Sequence, residues 1–215
     1  MKSLSVALVA ALAASFGASS ASAKVIDFVA EVAASGEHGV ADGTVLNTPA
    51  MGNLNLEFRA GIGGKQRDFA YFNSATSNGS PAGLGTCTTM NAAAQCDPSF
   101  DDVVAAKEWV QVGFADEPFN VRTLSFNGGG NLSLDNDMTG LIKITTSLNS
   151  VVAMATLTFA QAATMGFGFV DWIRFEYAGT EFVVASISDV PLPGALPLLL
   201  SGLAGLGFAA RRKKA

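Results

Sequence analysis

The chain has 215 residues, 49% of them hydrophobic, with 18 acidic and 13 basic residues and a formal net charge of −5. Five of the basic residues, Lys2, Arg211, Arg212, Lys213 and Lys214, lie at the extremities, so the 166 residues of 24–189 hold all 18 acidic residues against 8 basic ones, a net charge of −10. Such a surface repels phosphate backbones and argues against nucleic acid as a partner, while it suits divalent cations or a hydrated matrix.

In chain order, Lys2 opens a short positive region and Leu4–Ala14 is apolar apart from Ser5. Ala21-Ser22-Ala23 then supplies the small-x-small pattern that signal peptidase accepts, because its pocket admits only small side chains. The expectation is an exported chain, with 1–23 a signal peptide and cleavage leaving Lys24 first. Residues 24–189 are of a size for one domain with a substantial core.

Within that stretch apolar residues alternate with polar ones, the period of half-buried strands. The faces are Leu54, Leu56 and Phe58; Val110, Val112 and Phe114; Leu124 and Phe126; Ile142, Ile144 and Leu148; Ile173, Phe175 and Tyr177. Ile26, Phe28, Ala30 and Val32 form a further candidate face. Val151–Ala160 is apolar or threonine on both sides, as in a central strand. The one short helical candidate is around Val103–Lys107. Asn73–Gly85 reads as a long loop, and Asn127–Asn131 as a turn. Tyr177–Glu181 reads as a hairpin joining Trp172–Tyr177 to Phe182–Ile187. The fold predicted is all-β, an antiparallel β-sandwich of jelly-roll-like type.

Cys87 and Cys96 are the only cysteines. In an exported chain a pair nine positions apart predicts a disulfide. Zinc would need four ligands, and His38 is the only histidine.

Asp97, Asp101 and Asp102 sit beside that loop and offer hard oxygen ligands for calcium. Their spacing matches no EF-hand, and Asp, Ser and Pro together also form ordinary turns or, at Asp101, a helix cap. Asp135-Asn136-Asp137 reads as a solvated loop. Trp109 and Trp172 alternate away from the apolar faces, which makes them candidate stacking platforms for a glycan, with Tyr71 and Tyr177 further candidates. No Gly-x-Ser-x-Gly, His-Glu-x-x-His or phosphate loop is present, and a triad would have to rest on His38 alone, so no catalytic residue is assigned.

The carboxyl end, 190–215, has three parts. Val190-Pro191-Leu192-Pro193 is followed by Gly194–Ala210, 17 residues without a charge, and by Arg211, Arg212, Lys213 and Lys214. As a helix the apolar run reaches about 26 Å, close to the ~30 Å hydrocarbon core, with the basic cluster as cytoplasmic anchor. A GPI signal does not normally end in a basic cluster, and Leu192-Pro193-Gly194-Ala195 lacks the threonine and following glycine of a Gram-positive wall-sorting motif.

The three-part order resembles the PEP-CTERM sorting signal in its Val-Pro-Leu-Pro-Ala variant, with Gly194 in place of the alanine. The resemblance implies a substrate of an exosortase, a membrane cysteine transpeptidase of Gram-negative bacteria. Such a protein is held in the inner membrane by a transmembrane helix, cut near the prolines, and passed to the cell surface or an extracellular polysaccharide matrix. Val190–Pro193 would then be a site acted on by another enzyme. Internally, Gly83-Leu84-Gly85-x-Cys87 and Cys96-x-Pro98-Ser99-x-Asp101-Asp102 resemble a segment found in a subset of such proteins. Val103 and Gly128–Gly130 depart from it. The expected role is a non-catalytic surface or matrix protein; the alternative is a calcium-assisted carbohydrate-binding module bound to exopolysaccharide.

Overall fold

The computed structural model describes residues 23–75, 81–98, 102–128 and 138–190. The described part is mostly antiparallel β-structure. Its strands are β1 (Val25–Asp27), β2 (His38–Val40), β3 (Thr44–Leu46), β4 (Leu56–Ile62), β5 (Lys65–Ala75), β6 (Pro81–Cys87) and β7 (Glu108–Phe114), then β8 (Phe119–Val121), β9 (Thr123–Gly128), β10 (Leu141–Leu148), β11 (Val151–Thr158), β12 (Gly168–Val170), β13 (Trp172–Tyr177) and β14 (Phe182–Ser188). Two helices, α1 (Phe28–Ser35) and α2 (Phe159–Met165), complete the described elements, with a single 3₁₀ turn at Pro49–Met51.

One sheet runs β1-β14-β6-β5-β4-β7-β13-β10-β11; off this path β2 pairs with β5, β3 with β4 and β9 with β14, and β8 and β12 form a small separate pair. β5 is the hinge of this sheet. Its first residues pair with β4 at Ala60↔Asp68, and its remainder pairs with β6 from Phe69↔Cys87 to Ala75↔Pro81. The sheet therefore curls, and both halves contribute to one core.

The alternating faces explain that core. Leu56 and Phe58 of β4, Val110 and Val112 of β7, Ile142 and Ile144 of β10, and Ile173 and Phe175 of β13 are all buried in a single cluster. Phe182, Val184 and Ile187 of β14 join them from the other half. Phe58 packs edge-on with Phe28 and Phe72, and Phe126 meets Phe159, Phe175 and Phe182 with ring centres 5.2–6.0 Å apart. Burying such rings stabilises the fold by about 1.5–3 kcal/mol each.

Several expectations are corrected. The Ile26–Val32 face is a strand only as far as Asp27, whose carboxylate accepts the Ala30 N–H at 2.9 Å and caps α1. Phe28 and Val32 are buried, four apart on one helical face, while Ala30 is exposed. Val103–Lys107 is not helical: Val104 bridges to Phe182, and Lys107 takes a positive φ of 73° just before β7. The presumed loop Asn73–Gly85 is largely the β5–β6 pairing; Gly83 lies so close to Val184 that a Cβ would sit 2.3 Å from its carbonyl.

Val151–Ala160 is not a central strand. Among the described residues β11 pairs only with β10, at the sheet margin, and gives way at Phe159 to α2, whose capping box joins Thr158 and Gln161. The segment is apolar on both faces because it lacks charge, not because it is enclosed. Trp172–Tyr177 and Phe182–Ser188 are strands as expected, but they do not form a hairpin. β13 pairs with β7 and β10, and β14 with β1, β6 and β9, so Ala178–Glu181 crosses between the two halves. The expected turn at Asn127–Asn131 begins inside β9, and its remainder is outside the described residues.

The expected signal peptide, apart from Ala23, and the apolar carboxyl run also lie outside the described residues, as do Pro191, Leu192, Pro193, Arg211, Arg212, Lys213 and Lys214. Among the described residues no helix is long and apolar enough to cross a membrane.

Candidate functional site

Three places take the residues singled out by the sequence. The first is the junction of the two domain ends. β1 lies antiparallel to β14, with Val25 opposite Ser188, so the positions where the sequence sets its two boundaries are neighbours. The Lys24 N–H donates to Asp189 Oδ1 at 2.7 Å, and the Asp189 N–H donates to the Lys24 carbonyl at 3.2 Å. The Lys24 ammonium lies 3.6 Å from the Glu117 carboxylate, an exposed pair of small energetic weight.

Val190 is held here too. Its N–H donates to Ser188 Oγ at 3.0 Å, and its carbonyl accepts from the Thr123 hydroxyl at 3.4 Å. An open cleft of about 240 Å³ adjoins the junction, lined by Lys24, Leu54, Asn55, Phe114, Asp116 and Phe119 among others. Phe114 and Phe119 stack at 5.0 Å, and Asn55 donates to both oxygens of Asp116. Asp189, Thr123 and Ser188 were not marked by any motif, because their meeting with Lys24 and Val190 spans the length of the domain.

The second place is the disulfide loop. Cys87, at the end of β6, is bonded to Cys96, with Cα atoms 5.8 Å apart. Tyr71 from β5 braces the loop: its hydroxyl accepts the Cys96 N–H at 3.2 Å and lies 3.0 Å from Glu37 Oε1, to which it donates. Burial is the main cause that pushes Tyr71 up to about 12; the Cys96 N–H opposes it, and the Glu37 and Asp102 charges add to it. Tyr71 is thus a core residue and not a stacking face.

The candidate calcium ligands are in different settings. Asp97 is exposed, Asp102 is buried with its carbonyl accepting from Asn73 Nδ2 at 3.4 Å, and Asp101 lies outside the described residues. Sequence reasoning missed buried Glu108, whose carboxylate accepts the Ala105 N–H at 2.7 Å and lies 2.9 Å from the Thr86 hydroxyl.

The third place is the outward face of β7, β13 and β10. Cross-strand register sets Glu176 beside Trp109, Arg174 beside Gln111 and Trp172 beside Gly113. Arg174 lies across both indoles, its guanidinium carbon 3.9 Å from the Trp109 ring centre and 5.6 Å from that of Trp172. Its Nε and Nη2 donate to Gln111 Oε1 at 3.1 and 2.9 Å. Burial lowers the Arg174 guanidinium from its ordinary value; Glu176 raises it and Arg59 lowers it further. Lys143 pairs with Glu176 at 2.9 Å on the same face.

Both tryptophans point outward as expected, but only Trp172 is open to solvent, and only in part. Trp109 is 2% exposed, pressed between Arg174 and Gly61, where a Cβ would lie 2.6 Å from the indole. Trp109 is therefore corrected from a stacking platform to a buried support. The available surface is a half-open indole with the Arg174 guanidinium beside it.

No family model, curated protein or solved structure matches this chain.

Proposed function

We propose that the protein is a non-catalytic, exported surface or extracellular-matrix protein of a Gram-negative bacterium, sorted and processed by an exosortase. Signal peptidase releases Lys24, the apolar run Gly194–Ala210 spans the inner membrane as a helix with Arg211–Lys214 on the cytoplasmic side, and Val190–Pro193 is the recognition motif. The observation that carries this reading is the pairing of Lys24 with Asp189. Both cleavage boundaries then flank one compact domain and lie side by side, so trimming either end removes no strand of the sheet. The finer architecture we assign is a jelly-roll-like β-sandwich, supported by the two halves that share β5 around one core.

The test is to replace Pro191 and Pro193 by alanine in the full chain and to fractionate the producing cells. The expected result is retention in the inner membrane with loss from the surface. Unchanged release would overturn the reading.

A second reading is favoured by the half-open Trp172 beside Arg174: a calcium-assisted carbohydrate-binding module that stacks on exopolysaccharide. Titrating the producer's own exopolysaccharide with and without calcium, while following tryptophan fluorescence, checks it. A saturable change absent from Trp172→Ala supports it, and a flat response removes it.

A further inference from the structure

β11 differs from the other marginal strands. It is eight residues long and pairs with β10 at every position from Leu148↔Val151 to Leu141↔Thr158, without a bulge. Among the described residues no strand pairs with its other side. The devices that normally blunt such an edge are a lysine, a proline, a bulge or a very short strand, and Val151–Thr158 has none of them. β1, β2 and β3, by contrast, are three residues each.

Both faces of β11 are open and apolar. Val151 is 72% exposed, Val152 56% and Met154 64%. On the side facing the core, a groove of about 260 Å³ runs between β11 and the segment after α2, lined by Thr146, Ala153, Ala155, Met165 and Phe167 among others. Met165 is itself 58% exposed. Together these side chains leave on the order of 400 Å² of apolar surface uncovered, a patch of the size that marks an interaction site.

We propose that β11 pairs antiparallel with β11 of a second copy of this chain, about a twofold axis through Met154, joining two domains into one continuous sheet. A twofold perpendicular to the sheet keeps residues of the same parity opposite each other. Centred on Met154, it sets Val151 against Leu157 and Ala153 against Ala155 on the core side. On the outer side Val152 meets Thr156, and Met154 meets Met154. Every pair is apolar or apolar–threonine, and no like charges face each other although the domain is strongly acidic. Centring on Ala155 instead would leave Val151, the most exposed of these residues, uncovered. Two copies cover part of the ~400 Å² on each, an interface near or below the ~1,200 Å² lower end for specific complexes, so the dimer is weak and concentration-dependent. The partner with this complementarity is the strand itself.

Neighbouring charges are already engaged: Glu176 is paired with Lys143, and the Asp171 carboxylate accepts the Asn149 N–H at 2.6 Å. The remaining repulsion between acidic domains is long-range and screened by salt, so the dimer strengthens as salt is raised.

The test uses the full chain in mild detergent with Met154→Cys and, separately, Val152→Cys, each oxidised and run on a non-reducing gel. Directly opposed residues of antiparallel strands have Cα atoms about 4.5–5.5 Å apart, within disulfide reach. The Val152 positions of two copies would be about 13 Å apart, out of reach. Crosslinked dimer from Met154→Cys at least five-fold above Val152→Cys supports the proposal. Equal crosslinking at both positions, or none at either, overturns it, including where the apolar carboxyl run covers the strand or alone drives association. Thr156→Lys guards the edge without touching the core. Sedimentation of that variant at tens of micromolar should show at least a ten-fold weaker dimer, and unchanged self-association would equally overturn the proposal.

Discussion

Replacing Cys87 and Cys96 together by alanine removes the one covalent crosslink and leaves the sheet register in place. The loop spans a sequence separation of 9. In the chain-entropy model a loop of that size restricts the unfolded chain by about 2.6 kcal/mol at 25 °C. For a domain of this length each kcal/mol moves the melting temperature by about 2–4 °C, so a fall of about 5–10 °C is expected by calorimetry or circular dichroism. The loss should also be felt locally, because the Tyr71 hydroxyl accepts the N–H of Cys96 and packs with both sulfurs in a small cluster of their own. Opening the loop removes the Cys96 N–H that lowers Tyr71 but also the burial that raises it, and burial is the larger cause. Spectrophotometric titration should therefore show Tyr71 falling from about 12 toward the ordinary value near 10. A melting temperature unchanged within about 1 °C, with Tyr71 still titrating near 12, would refute the claim that the bond holds this loop on the domain.

Three further outcomes follow from the same geometry. Because Tyr71 is raised in the folded state and titrates near 10 when unfolded, its contribution is intact below about pH 10 and is lost as pH climbs toward 12; urea melts from pH 9 to 12 should show that loss, and Tyr71→Phe should remove it. Arg174→Ala uncovers Trp109 and removes a cation–π contact and two hydrogen bonds; stability should drop by about 1–2 kcal/mol with a red-shifted indole emission, and Arg174→Lys should restore only part because a lysine lacks the planar fork that meets Gln111. Gly61→Ala sets a methyl 2.0 Å from the Lys65 carbonyl and 2.6 Å from Trp109; urea denaturation should show a loss of about 2 kcal/mol or more.

What was legible in the sequence was the local part of the fold. A period of two marks Leu56–Phe58, Val110–Val112, Ile142–Ile144 and Ile173–Phe175 because each strand turns one apolar face to the core and a more polar face outward, and all four pairs are buried. The errors arose where a pattern has two physical causes. Val151–Thr158 lacks charge, which fits either a strand enclosed on both faces or an unguarded edge, and composition does not distinguish them. Ile26–Val32 fits both periods, and a single cap at Asp27 decides for the helix. Pairing across Tyr177–Glu181 was misread because a short connection can turn back along its own sheet or pass to the opposite half. The disulfide was legible from the only two cysteines of a chain whose first residues read as an export signal. The sites were less so. Trp109 and Trp172 share the outward parity, and what separates them is tertiary: Arg174 lies closer over Trp109, at 3.9 Å against 5.6 Å, and Gly61 closes against the Trp109 indole. The meeting of Lys24 with Asp189 joins residues 165 positions apart and leaves no local signature.

The central claim is that both ends are removable addresses on a domain that closes between Lys24 and Asp189. Intact-mass spectrometry of the protein recovered from the cell surface tests it most directly. The expected chain begins at Lys24 and has lost Arg211-Arg212-Lys213-Lys214-Ala215 by a cut near Val190–Pro193. A surface-recovered chain still carrying that basic end would contradict it.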